Sequence, residues 1–108
     1  MSKLTRHIIC LTTAGSLQDG EKIARRLVEK RLAACVNVLP GAVSFYHWKK
    51  KLCRDKEAIL VIKTVRTKIS SLEKDLHKIH PYELPEFIVL PIAEGSRRYL
   101  RWIRENVK

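Results

Sequence analysis

Ala34-Cys35-Val36-Asn37-Val38-Leu39-Pro40-Gly41-Ala42-Val43-Ser44-Phe45-Tyr46-His47-Trp48 is the stretch that decides the fold. Ala34 to Leu39 reads as a strand. Pro40 has no N–H to give a ladder and Gly41 relaxes φ, so the pair marks a bulge or kink. The strand resumes at Val43, and alternation puts Val43, Phe45 and His47 on one face. Lys49-Lys50-Lys51 forms a hairpin tip, and Ala58 to Thr64, rich in β-branched residues and Leu, is the return strand. The two arms, residues 34 to 48 and 52 to 64, outreach every other strand the sequence predicts. Overhanging apolar strands expose ladder edges that need covering. A second copy of the chain would cover them, and ring closure by strand addition suits a trimer.

Working outward, His7 to Thr13 contains Ile8-Ile9-Cys10-Leu11 and reads as a buried strand. Gly15 breaks it. Ser16 can cap a helix with Asp19 as its partner three residues on. Leu17, Ile23, Ala24, Leu27, Val28 and Leu32 make one apolar stripe, which predicts an amphipathic helix over 17 to 31. Ile69, Leu72, Leu76 and Ile79 predict a second helix over 67 to 78, stopped by Pro81. Glu86 to Ile92 reads as the last strand, and Gly95-Ser96 opens a final helix with Tyr99, Leu100, Ile103 and Val107. The order β-α-β-β-α-β plus a helix is the split β-α-β, or ferredoxin-like, order of the α+β class. No linker or repeat interrupts it, so residues 1 to 108 are expected to form one domain.

Composition narrows the function. Hydrophobic residues make up 45% of the chain, which excludes disorder. There are 22 Lys and Arg against 11 Asp and Glu, a net charge of +11. Such a field attracts anions. The charge is spread over helices and turns without a compact run interleaved with aromatics, so nucleic acid is not an expected partner. Cys10, Cys35 and Cys53 are odd in number and contain no C-x-x-C pair, which fits a reducing cytosol. No apolar stretch of signal length follows Met1, and the longest apolar run, Ala58 to Ile62, is far short of a membrane span. A cytoplasmic protein with no membrane partner is expected. No Walker loop, G-x-G-x-x-G, H-E-x-x-H or G-x-S-x-G occurs, and no enzyme activity is expected.

Five segments carry a resemblance. They are Leu32-Ala33-Ala34-Cys35-Val36-Asn37 with Pro40-Gly41; Ser44-x-Tyr46-x-Trp48; Glu57 with Ile62-Lys63-Thr64; His80-Pro81-Tyr82-Glu83-x-Pro85-Glu86; and Tyr99-Leu100-x-Trp102-Ile103. In this order, over residues 8 to 104, the sequence resembles the CutA (divalent-cation tolerance) family. The resemblance implies a ferredoxin-like homotrimer joined through intersubunit sheets by its long hairpins. It also implies a role in tolerance of, or response to, divalent metal, copper above all. Three positions depart from the family pattern. Lys50 stands where a tip glycine is usual, so a looser or differently shaped tip is expected. Thr12 and Ile79 replace a Cys and a His of the copper-linked members.

His80 is the one metal ligand the resemblance leaves, where a site needs about three or four. Cys10 and Cys35 would join it only if the fold brings them close. The other reading of His80 is a cap between helix and strand, bonded to backbone. His7, His47 and His77 read as surface or hairpin residues, Cys35 as a small core residue, and Cys53, beside Lys51 and Arg54, as an exposed thiol. Lys63, Tyr82, Glu83 and Glu86 form the candidate ligand cleft, with a cation, two carboxylates and a phenol meeting across a subunit boundary. It would take a divalent cation or a small anion. The alternative pairs Glu86 with Lys63 and packs Tyr82 in the interface. A trimeric signalling or anion-binding module of the PII type is the competing function. Phe45, Tyr46, Trp48 and Trp102 read as core or interface anchors.

Overall fold

A computed structural model describes residues 6–108. Its elements run β1 (His7–Ala14), α1 (Leu17–Glu29), β2 (Cys35–Trp48), β3 (Lys51–Val65), α2 (Ile69–Ile79), β4 (Ile88–Pro91) and α3 (Arg97–Glu105), with a 3-10 turn at Arg66–Lys68 leading into α2. One mixed α+β unit results, with its four strands in the order β2-β3-β1-β4. All neighbouring strands are antiparallel. β3 therefore lies between β1 and β2, which is the split the sequence order predicts.

Local chemistry sets the boundaries. Ser16 Oγ accepts from the Asp19 N–H at 3.0 Å, the expected cap of α1. The helix ends at Glu29, earlier than residue 31, because Arg31 takes the left-handed conformation at φ 61° and closes the end. Gly20 lies on the buried face of α1. A Cβ there would sit 3.1 Å from Val38 Cγ1, so the missing side chain lets the helix approach the sheet closely. β4 spans four residues and is shorter than the strand predicted over 86 to 92. Pairing with β1 begins only at Ile88 opposite Leu11, after the Pro81 to Phe87 segment has crossed the end of the sheet.

The register of β2 on β3 shifts between Leu39 and Ala42, where Gly41 sits at φ 87°. This is the bulge that Pro40-Gly41 predicts. Beyond it the hairpin runs on, unpaired with β1, to Trp48 opposite Lys51. Lys49 and Lys50 turn the chain in two residues, at φ 51° and 67°. The tip is thus the tight positive-φ turn that glycine would favour, built with lysines instead.

The sheet has two unlike faces. Ile8, Cys10, Thr12 and Ala14 of β1 and Ala58, Leu60, Ile62 and Thr64 of β3 bury one face under α1 and α2. Asp75 of α2 ties the two helices together, accepting from Arg26 Nε at 2.9 Å and Lys30 Nζ at 2.7 Å. On the other face α3 covers only one end, through Ile103 on Ala34 and Val65. His7 is buried beneath it with Nε2 3.3 Å from Arg104 Nη1. The expected surface position of His7 is therefore corrected, and burial holds its pKa below the ordinary value. The rest of this face stays open: Ile9, Leu11, Ile59 and Val61 are only half-buried, and Leu39, Ile88 and Leu90 are exposed. Cys35 lies on this face opposite Lys63, half-buried and not in the core as predicted.

Candidate functional site

The segment after α2 builds one wall of a cleft. Pro81 cannot continue the helix, so the chain leaves it at His80, whose N–H still donates to Leu76 O at 2.8 Å. The His80 ring turns inward and is 7% exposed. Its Nε2 lies 2.7 Å from the Thr13 carbonyl, which can only accept, so Nε2 carries the proton. Nδ1 then accepts from the Tyr82 N–H at 3.1 Å. The ring is a neutral bracket between β1 and the 81–86 segment, and both nitrogens are occupied.

Tyr82 reaches back to the hairpin. Its hydroxyl donates to Glu57 Oε2 at 2.7 Å, and Glu57 is 7% exposed. Burial, then the bond to Glu57 and its charge, pushes the phenol well above its ordinary pKa. Two residues further out along β3, Asp55 accepts a hydrogen bond from the Tyr46 hydroxyl. That bond holds the Tyr46 hydroxyl protonated, its pKa pushed up to about 12.

Between these walls lies an open cleft of about 870 Å³, with Asp55, Glu57, Glu83 and Glu86 among its lining and Tyr46, Trp48 and Tyr82 as its aromatic surface. Among the described residues no Lys or Arg lines it. On a chain of net charge +11, this is a concentrated patch of negative charge. It attracts cations and repels anions.

Tyr82, Glu83 and Glu86 all line this cleft, whereas within one chain Lys63 stands apart from it. It projects from the open sheet face opposite Ile9 and Cys35. Its Nζ lies 3.4 Å from the Tyr99 hydroxyl of α3 and 5.7 Å from the centre of that ring. Glu57 and Asp55 are the site residues that sequence reasoning missed. The signal was available, since alternation along β3 and its register put both carboxylates on the face of Tyr46.

The copper that the resemblance implies does not fit these residues. Among the described residues no three of His, Cys, Asp and Glu converge on a common point. Both His80 nitrogens are bonded to backbone. Cys10 is buried in the core and its thiol is pushed up to about 11 by burial, which disfavours the thiolate a metal requires. Thr12 has its hydroxyl buried without a hydrogen-bond partner among the described residues. Cys53 is half-buried near the tip, with Sγ 3.7 Å from Lys51 O. No described helix is long and apolar enough to cross a membrane.

Comparison with known proteins gives one consistent result. The profile of the CutA1 divalent ion tolerance protein family matches residues 8–106. The divalent-cation tolerance protein CutA of Thermus thermophilus is 45% identical over 98 residues, covering 91% of this chain and 95% of that protein. The chloroplastic protein CutA of Arabidopsis thaliana is 37% identical over 107 residues, covering 99% of this chain but only 59% of the longer relative. The solved structure of the divalent cation tolerance protein Cut A1 from Thermus thermophilus superposes with a TM-score of 0.92 at 43% identity, over 94% of this chain and 99% of that one. The chain belongs to the CutA1 divalent ion tolerance family.

Proposed function

We propose that this chain, one ferredoxin-like domain throughout, acts without catalysis as a self-assembling trimer in divalent-cation tolerance, and that it draws cations weakly to the cleft of Tyr82, Glu83, Glu86 and Glu57. The observation that supports this reading best is the uncovered apolar face of the sheet. Ile9, Leu11, Ile59 and Val61 are half-buried and Leu39, Ile88 and Leu90 exposed, and β2 and β4 are the edge strands of the described sheet. The hairpin adds Phe45 at 65% and Leu52 at 69% exposure. A contiguous apolar face of this kind needs a partner surface, and strand edges need pairing.

A divalent cation at the cleft meets scattered carboxylates and phenols, not a chelating set, so binding through retained water is expected. The cytoplasmic setting read from the cysteines belongs to this proposal, since a relative from Arabidopsis is named chloroplastic. The PII-like anion-binding alternative is less well supported at this cleft, because among the described residues four carboxylates face it and no Lys or Arg does.

The test has two arms. Light scattering on the purified chain should give three times the 12.5 kDa chain mass. A lower mass on dilution in Phe45→Ser/Leu52→Ser relative to wild type supports assembly through the hairpin, and a monomeric wild type removes it. Titration with Cu(II), Zn(II) and Mg(II), read by thermal shift, should raise the melting temperature by mass action. The rise should shrink in Glu83→Gln/Glu86→Gln. Equal shifts in both proteins, or none, reject the cleft as the cation site.

A further inference from the structure

The row of β3 side chains on the open sheet face is Glu57, Ile59, Val61 and Lys63: a carboxylate at one end, an ammonium at the other and apolar residues between. The two charges stand six residues apart. A strand rises about 3.3 Å per residue, so roughly 20 Å separates them and they cannot pair within one chain. Among the described residues neither has an opposite charge within ion-pair distance. The hydrogen-bond partner of Glu57 is the neutral phenol of Tyr82, and that of Lys63 is the neutral phenol of Tyr99. No salt bridge of the described residues includes either one.

This matters because of where Lys63 sits. Its cross-strand neighbours Ile9 and Cys35, and Val61 on the same row, belong to the apolar face that assembly would cover. Covering that face takes the ammonium out of water, which is strongly unfavourable without a carboxylate. The cleft has the converse problem. Glu57 is buried, and Glu86 shares its cleft with no described Lys or Arg lining the site. Two unmet charges of opposite sign lie at opposite ends of one surface. A rotation that repeats the same contact around a ring satisfies both at once.

We infer that Lys63 of one copy enters the cleft of the next and pairs with Glu57 and Glu86, so that the cleft is complete only in the assembly. The inference rests on the self-assembly reading above and names the contact that sets its register. The apolar face supplies the attraction, and the single ammonium supplies direction. A copy docked one strand out of place would leave both Lys63 and Glu57 buried and unpaired. One ammonium against four cleft carboxylates leaves net negative charge, so the cleft still attracts a further cation.

The experiment is a dilution series followed by sedimentation velocity on wild type, Lys63→Glu, Glu86→Lys and the double variant Lys63→Glu/Glu86→Lys. Each single reversal should raise the concentration at which the assembly half-dissociates by ~10-fold or more, since like charges then meet in a desolvated contact. The double variant should recover most of that loss. If Lys63→Glu fails to fold, Lys63→Met carries the test. It keeps the apolar stem, and its dissociation should become less sensitive to salt than that of wild type. A wild type that assembles beside an equally tight Lys63→Glu, or a double variant no tighter than the weaker single, overturns the pairing alone. So does a Lys63→Met with unchanged salt dependence. A wild type that stays monomeric overturns the assembly reading together with the pairing.

Discussion

Tyr82 donates its hydroxyl to Glu57 Oε2 across 2.7 Å, joining the segment after α2 to the base of the hairpin. The bond links residues 25 apart in sequence and closes one side of the cleft. Tyr82→Phe removes the only described hydrogen-bond donor to a buried carboxylate. A loss of about 1–3 kcal/mol is expected in denaturant unfolding, the usual cost of a buried polar group left without its partner. Glu57→Gln in the Tyr82→Phe background should recover part of it, because the neutral amide is cheaper to bury. A Tyr82→Phe chain as stable as wild type would show that water replaces the phenol.

Asp75 gives the fold an acid-sensitive tie. Hydrogen bonds from Arg26, and then from Lys30, hold its carboxyl well below the usual range, at about 2. The folded pKa is depressed, so the contribution is present above the unfolded value near pH 4 and is lost as pH falls towards 2. Arg26 and Lys30 are nearly half exposed, which screens the pair, so about 1–2 kcal/mol is expected. Asp75→Asn should be less stable than wild type at pH 7 and converge on it near pH 2. The check is urea unfolding at both pH values.

Thr12→Val should stabilise the chain. The hydroxyl is fully buried with no described hydrogen-bond partner, and Val has nearly the same shape. Removing an unpaired hydroxyl from the core should gain about 1 kcal/mol, measured as a higher urea midpoint with unchanged m-value. A lower midpoint would mean that an ordered water satisfies Thr12.

The hairpin tip should tighten with Lys50→Gly. Lys50 sits at φ 67°, where a side chain is strained and glycine is not. A gain of about 0.5–1 kcal/mol is expected where the turn is formed. Amide exchange at Trp48 and Lys51 should slow. Faster exchange would indicate that the lysine side chain, not the backbone, holds the turn.

His7 supplies a milder pH dependence. Burial, and to a lesser degree Arg104, lowers its pKa. The unfolded chain therefore binds the proton more readily, and stability falls as pH drops below about 6.5. His7→Gln should flatten the stability profile between pH 7 and 5 in thermal unfolding, while leaving the acid limb of Asp75 in place.

Periodicity along the chain is enough to read the elements. Alternation in β1 and β3, the stripe of Leu72 and Leu76, the Ser16 cap and the Pro40-Gly41 bulge all depend on neighbours within a few residues, where side-chain chemistry acts directly on the backbone. Tyr82, Glu83 and Glu86 are legible for the same reason, as one contiguous segment. Partnerships between distant residues are not. Sequence alone does not choose between His80 as ligand and His80 as bracket, because the choice rests on the Thr13 carbonyl, 67 positions away. It does not show that within one chain Lys63 lies against Tyr99, and it passes over Glu57 although the fold brings Tyr82 to it.

The sequence by itself determined the element order, the long hairpin and the family, since these follow from local pattern and residue identity. Only the tertiary structure decided that four carboxylates of a basic chain share one cleft, that Lys63 stands at the far end of the same sheet face, and that both His80 nitrogens are occupied. Charge pairing and desolvation depend on distances in space, and a chain fixes those only once it has folded.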